Sequence, residues 1–158
     1  KLLYPLYVNE FNKGYSRKLK VKANYSVESF FTDSLDGGYD ALRKFTTLLK
    51  TVLLKGETVK ITMKGYCSPL ASTNYNKKLA KRRISSLRNY FIKVENGFFT
   101  KFMDTENKGA TLIFEEVDIG ELPDSKVSDD FKNKRSSVYS PHAASERKIQ
   151  IIAISFGQ

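Results

Sequence analysis

The chain has one cysteine, Cys67, and one histidine, His142, so the chemistry open to it is narrow. A thiol–imidazole pair needs the two side chains within reach and a depressed thiol pKa. Nothing in the spacing of Cys67 and His142 brings them together. Packing is the expected role of Cys67, and a surface position that of His142, which follows Pro141 in a loop. One cysteine rules out an internal disulfide and a CxxC zinc site, and one histidine rules out a multi-histidine metal centre. Asp118, Asp129 and Asp130 lack the alternating oxygen donors and central glycine of a calcium loop. No glycine-rich phosphate loop occurs either. No catalytic constellation is offered, so the expectation is of no enzyme, no metal and no cofactor.

One cation stands out by its placement. Residues 72–94 read as a long helix in which Ala80, Ile84, Leu87, Phe91 and Val94 form a single apolar stripe. At about 100° per residue, Arg82 falls roughly 160° from Ala80, on the solvent face, and Arg83 about 60° from the stripe centre. Asn76 lies within roughly 20° of Arg83 and about 10 Å from it along the axis. Arg83 is thus a partly buried guanidinium beside an amide, near the start of a helix that follows a tight glycine-containing loop. Such a charge requires an acidic partner or a ligand, because an unpaired buried charge is costly. One of the chain's own carboxylates is the simpler partner, and a ligand the more informative one. Lys77, Lys78, Lys81, Arg82 and Arg88 read as a solvated helix face.

The elements that must place Arg83 follow from periodicity. Residues 3–8 read as a short buried strand, and residues 17–23 alternate basic and apolar side chains as a half-exposed edge strand would. Residues 26–31 suggest a short helix, and Asp36-Gly37-Gly38 a break. Leu42, Phe45, Leu48, Leu49, Val52 and Leu53 predict an amphipathic helix over 39–54, stopped at Gly56. Val59, Ile61 and Met63 alternate with Lys60, Thr62 and Lys64, a strand ending at Gly65. Residues 110–114 and 148–156 read as further strands, and 117–144 as a long loop with one helical turn. The expected class is α+β, a β/α/β/α/β sandwich with helices packed on one face of a mixed sheet.

The 158 residues suit one domain, 1–158, and the 41% hydrophobic content argues against disorder. The net charge of +10 is uneven: residues 57–103 carry ten basic and two acidic groups, while residues 104–158 carry seven and ten. No run approaches the roughly 18–20 apolar residues that span a bilayer. The opening KLLYPLYV lacks an initiator methionine and a cleavage site, and suggests the C-terminal fragment of a longer protein.

Gly65-Tyr66-Cys67-Ser68, then Tyr75-Asn76, Leu79-Ala80, Arg82-Arg83 and Tyr90-Phe91, resemble the signature of OmpA-like C-terminal peptidoglycan-binding domains. Residues 146–151, ERKIQI, look like the family's closing strand, and Leu6-Tyr7-Val8-Asn9 like its opening strand and polar turn. The likeness is dense over 57–94, with apparent insertions near 14–37 and 117–140. GYCSPLASTNYNKKLAKRRISS looks closest to a branch that ends long, repeat-containing envelope proteins.

The resemblance implies a non-enzymatic anchor in a Gram-negative periplasm, associated with the outer membrane and gripping the diaminopimelate of the peptidoglycan stem peptide. Arg83 matches the family's carboxylate-binding arginine and Asn76 its helix-opening amide. Ser68, Tyr66 and Asn9 are expected at the amine end, with Arg147 contributed by the closing strand. Ser68 stands where the family has an ammonium-binding aspartate. A neutral hydrogen bond contributes about 0.5–1.5 kcal/mol where a charged one gives about 1.5–3. Lys134 to Ser140 is expected to lie over the cleft near Arg147, or else to form a capped turn that packs Tyr139 on the core. Two rival readings are a degenerate scaffold joining other envelope proteins, and a basic nucleic-acid-binding domain. The second lacks the interleaved aromatics that stack on bases, so nucleic acid is not an expected partner.

Overall fold

The computed structural model describes residues 2–67, 72–103, 109–117, 127–128, 130 and 132–157. Its elements are α1 (Tyr4–Phe11), α2 (Arg17–Ser29), a π-helical turn (Phe30–Asp36), α3 (Gly37–Leu54), β1 (Thr58–Gly65), α4 (Thr73–Lys93), two 3-10 turns (Val94–Gly97 and Thr100–Phe102), β2 (Leu112–Val117), α5 (Pro141–Glu146) and β3 (Ile149–Gly157).

The alternation in β1 does what it predicts: Val59, Ile61 and Met63 are fully buried, while Lys60, Thr62 and Lys64 are only half so. With both neighbours paired, β1 is the central strand of a three-stranded mixed sheet in the order β2-β1-β3. β2 runs parallel to it, with Ile61 opposite Phe114, and β3 antiparallel, with Ile61 opposite Ile154. A parallel neighbour requires a crossover, and α4 provides it. The buried face of β1 meets Leu49 and Leu53 of α3, Ile84 and Phe91 of α4, and Phe99 and Leu112. Both long helices thus serve one core, and the chain is a mixed α/β fold. The α3 stop is as expected: Gly56 has φ of +92°, and its N–H donates to the Leu53 carbonyl at 3.1 Å.

The first third departs from expectation. Residues 3–8 are not a strand but lie largely in α1, which Pro5 opens in its first turn, where the missing N–H costs nothing. Tyr4 and Tyr7 of α1 pack edge-on against Phe31, at 5.3 and 5.6 Å between centroids. Residues 17–23 are likewise helical, in α2. The apolar residues of the supposed alternation, Leu19 and Val21, are 49% and 69% exposed, whereas Ala23 and Val27, one helical turn apart, are buried. The short helix expected over 26–31 is the end of α2 and the start of the π turn.

Asp36-Gly37-Gly38 does not break the chain; the π turn passes directly into α3. A methyl at Gly38 would meet nothing within 4 Å. Gly38→Ala is therefore expected to stabilise the fold by about 0.5–1 kcal/mol through helix propensity, measurable as an increased midpoint in urea.

β3 is apolar as expected, yet it is an edge strand and leaves Ile152, Ile154 and Phe156 exposed. A bulge between Thr62 and Met63 leaves Ile152 unpaired. Of the loop expected over 117–144, the described part ends in the short helix α5, capped by Ser140, whose hydroxyl accepts from the Ala143 N–H at 3.5 Å. No helix among the described residues is long and apolar enough to cross a membrane.

Candidate ligand-binding site

The end of β1 lies hard against α4. A Cβ built on Gly65 would stand 2.8 Å from the Ala80 carbonyl oxygen, so only glycine fits there without movement. This approach carries the next two residues, Tyr66 and Cys67, to the turn of α4 that follows Ala80. Arg83 closes the contact: its Nη1 donates to the Tyr66 carbonyl at 2.7 Å and reaches the Cys67 Sγ at 3.0 Å. The thiol in turn donates to the Asn76 carbonyl at 3.2 Å. Arg83, Tyr66, Cys67 and Asn76 are thus one cluster, in which Cys67, expected only to pack, is the link between Arg83 and Asn76.

Arg83 is half-buried, and among the described residues no carboxylate lies within ion-pair distance of it. Its Nη1 is engaged by the turn, whereas Nη2 and Nε meet no acceptor among the described residues. One side of the planar donor fork is therefore held by the β1–α4 turn, and the other meets no acceptor among the described residues. Asn76 is 2% exposed. At that burial it serves to hold the turn and has little surface to offer a ligand.

The two residues between α5 and β3, Arg147 and Lys148, complete the surroundings. The Tyr66 N–H donates to the Lys148 carbonyl at 2.9 Å. The Lys64 and Lys148 ammonium groups lie 4.9 and 5.7 Å from the centroid of the Tyr66 ring. Arg147 donates through Nη1 to the Val138 carbonyl at 2.8 Å and through Nη2 to the Ser137 carbonyl at 3.1 Å. Its Nη1 also reaches the Tyr7 hydroxyl at 3.4 Å. Burial pushes the Arg147 guanidinium below the ordinary arginine range, and the charge of Arg83 acts the same way, while Tyr7 and Glu146 oppose it. Arg83 and Arg147 are therefore near enough to feel one another.

Residues 137 and 138 lie against Arg147; the segment also ends in a capped turn, but Tyr139 packs on α1 and not on the core cluster. Ser140 caps α5, and the Tyr139 ring packs edge-on against Tyr7 at 5.5 Å.

Asn9 requires correction. It is exposed on α1, two residues and about 200° of helix from Tyr7. Its side of α1 lines a separate shallow groove with Val8, Asn12 and Lys20. Because the segment is helical and not extended, Tyr7 reaches the Arg147 neighbourhood in its place. Ser68 lies outside the described residues, as do Asp118 and Asp129. His142 is exposed and stands 3.8 Å from Glu146, so Cys67 and His142 have different neighbours. Lys77, Lys78, Lys81, Arg82 and Arg88 are all exposed on α4.

Sequence reasoning overlooked Lys64, Lys148 and Tyr7. The first two were within reach of it: once 58–65 and 148–156 pair antiparallel, with Gly65 opposite Ile149, the ends of the two strands bring these lysines to Tyr66. Comparison with family models, curated protein sequences and solved structures returns no match, so the site is read from its own geometry.

Proposed function

We propose that the chain is a non-enzymatic cell-wall-binding domain of OmpA-like type, which holds the diaminopimelate-type stem peptide of peptidoglycan and anchors a larger envelope protein in the periplasm of a Gram-negative bacterium. The observation that carries this reading is the half-engaged guanidinium of Arg83, whose Nη2 and Nε face no acceptor among the described residues. A stem-peptide carboxylate has the planar geometry that such a fork accepts. The spacing of Gly65-Tyr66-Cys67, Asn76, Ala80 and Arg83, and its likeness to the family signature, support the same conclusion. The mixed α/β fold, with its central strand β1 followed by the long helix α4, is compatible with an OmpA-like domain, although residues 4–8 are helical where the family has its opening strand.

In this reading Arg83 binds the stem carboxylate, Asn76 and Cys67 hold the turn that aims it, and Tyr66 forms the floor. Ser68 stands at the amine end. Arg147 ties the closing strand to Ser137 and Val138 beside the site.

The test is co-sedimentation of the purified chain with isolated sacculi. Losing a charged hydrogen-bonded contact costs about 1.5–3 kcal/mol, so Arg83→Ala is expected to bind about ten- to a hundredfold more weakly. Arg82→Ala, one residue along on the exposed face of α4, serves as the control and should sediment as the wild type does. Equal co-sedimentation of Arg83→Ala and wild type would sink the assignment.

A further inference from the structure

Three cations converge on Tyr66: Arg83 on its carbonyl at 2.7 Å, and Lys64 and Lys148 over its ring at 4.9 and 5.7 Å. None of the three has a carboxylate partner among the described residues. The contrast lies within β1 itself. Lys60 is neutralised from β2 by Glu115, at 3.0 Å. Lys64, four residues on, makes no ion pair among the described residues and lies instead over the Tyr66 ring. The ring holds the two ammonium groups in place by cation–π attraction, and no carboxylate among the described residues neutralises them.

A ligand that enters this cluster with a positive charge of its own is repelled, and one that brings a second negative charge is held. We propose that Arg83, Lys64 and Lys148 make the site selective for a stem peptide presenting two carboxylates with its side-chain amine acylated, over the same peptide with a free ammonium. Arg83 takes one carboxylate through Nη2 and Nε. Lys64 and Lys148 take the second across the Tyr66 ring. Acylation, as in a cross-linked stem, removes the charge for which the described residues supply no counter-ion. This inference rests on the cell-wall reading and specifies which form of the wall is recognised.

The test is calorimetric titration of the chain with a synthetic diaminopimelate-containing stem tripeptide in two forms, its side-chain amine free or acetylated. The acetylated form is expected to bind about tenfold more tightly at low ionic strength, and the advantage should shrink as salt screens the cluster. The double variant Lys64→Gln/Lys148→Gln, its fold checked by circular dichroism, should lose most of the preference, keeping only the part due to Arg83. Equal affinities in the wild type, or tighter binding of the free amine, overturn the inference and leave the cell-wall reading standing. A preference undiminished in the double variant also overturns it. Absence of binding by either form removes the cell-wall reading and this inference with it.

Discussion

Phe91→Ala is expected to destabilise the fold by about 3–5 kcal/mol, the range for truncating a buried aromatic. Phe91 has no exposed surface, and its ring is the meeting point of three parts of the core. Phe45 of α3 meets it edge-on at 6.2 Å, Phe99 beyond α4 at 5.9 Å, and Phe114 of β2 tilted at 5.5 Å. Truncation removes the buried area and also the aromatic contacts, each worth about 0.5–1.5 kcal/mol beyond area. A domain of this size has a total stability of about 5–15 kcal/mol, so the loss is a large share of the whole. Thermal unfolding followed by circular dichroism should show a midpoint lower by on the order of 10 °C. Phe156→Ala is the contrast. That ring is 63% exposed at the sheet edge, and its truncation is expected to cost about 0.5 kcal/mol, as surface changes do. Similar losses in the two variants would contradict the core described above.

Gly65→Ala should produce the second-largest effect, and it should disturb the site as well as the fold. The new methyl would lie 2.8 Å from the Ala80 oxygen and 3.2 Å from its carbonyl carbon and Cα. All three are helix backbone, so no side-chain rotation relieves the contact. Either the end of β1 or the adjoining turn of α4 must move, at about 1–3 kcal/mol for overpacking of this kind. Arg83 is three residues beyond Ala80, and Tyr66 is the next residue after Gly65, so the displacement falls on the 2.7 Å bond between them. The variant is expected to show a lowered midpoint in urea together with weakened co-sedimentation. Gly109→Ala, where a methyl would meet nothing within 4 Å, should change neither. A Gly65→Ala variant with wild-type stability and binding would show that strand and helix are not in the contact described.

How far the sequence reaches can be judged element by element. α3, β1 and α4 were legible because their apolar residues recur over enough turns or alternations to exclude the other period. The first third was not. Lys18-Leu19-Lys20-Val21 alternates over too few residues to decide, and the choice fell to Ala23 and Val27, which the helix buries together. The opening apolar run fits a strand, yet Tyr4, Tyr7, Val8 and Phe11 also recur at helical spacing. Only the ring contacts with Phe30 and Phe31 show which period the chain uses. Asn9 left the expected site for the same reason, since a helix turns it away from the side that carries Tyr7.

By itself the sequence determined the class of the fold, the strand and helix that carry Gly65, Asn76 and Arg83, and the placement of Arg83 at the margin of a buried stripe. These are local properties, set by spacing along one element. The tertiary structure decided what Arg83 touches: the Tyr66 carbonyl and the Cys67 thiol, with no carboxylate among the described residues. It also decided that Lys64 and Lys148 share the Tyr66 ring, and that Arg147 is held by the backbone of Ser137 and Val138. Those meetings depend on strand register, on the close approach of β1 to α4 and on the path of the segment before β3. Each joins residues from separate elements, so side-chain spacing within one element carries no record of them.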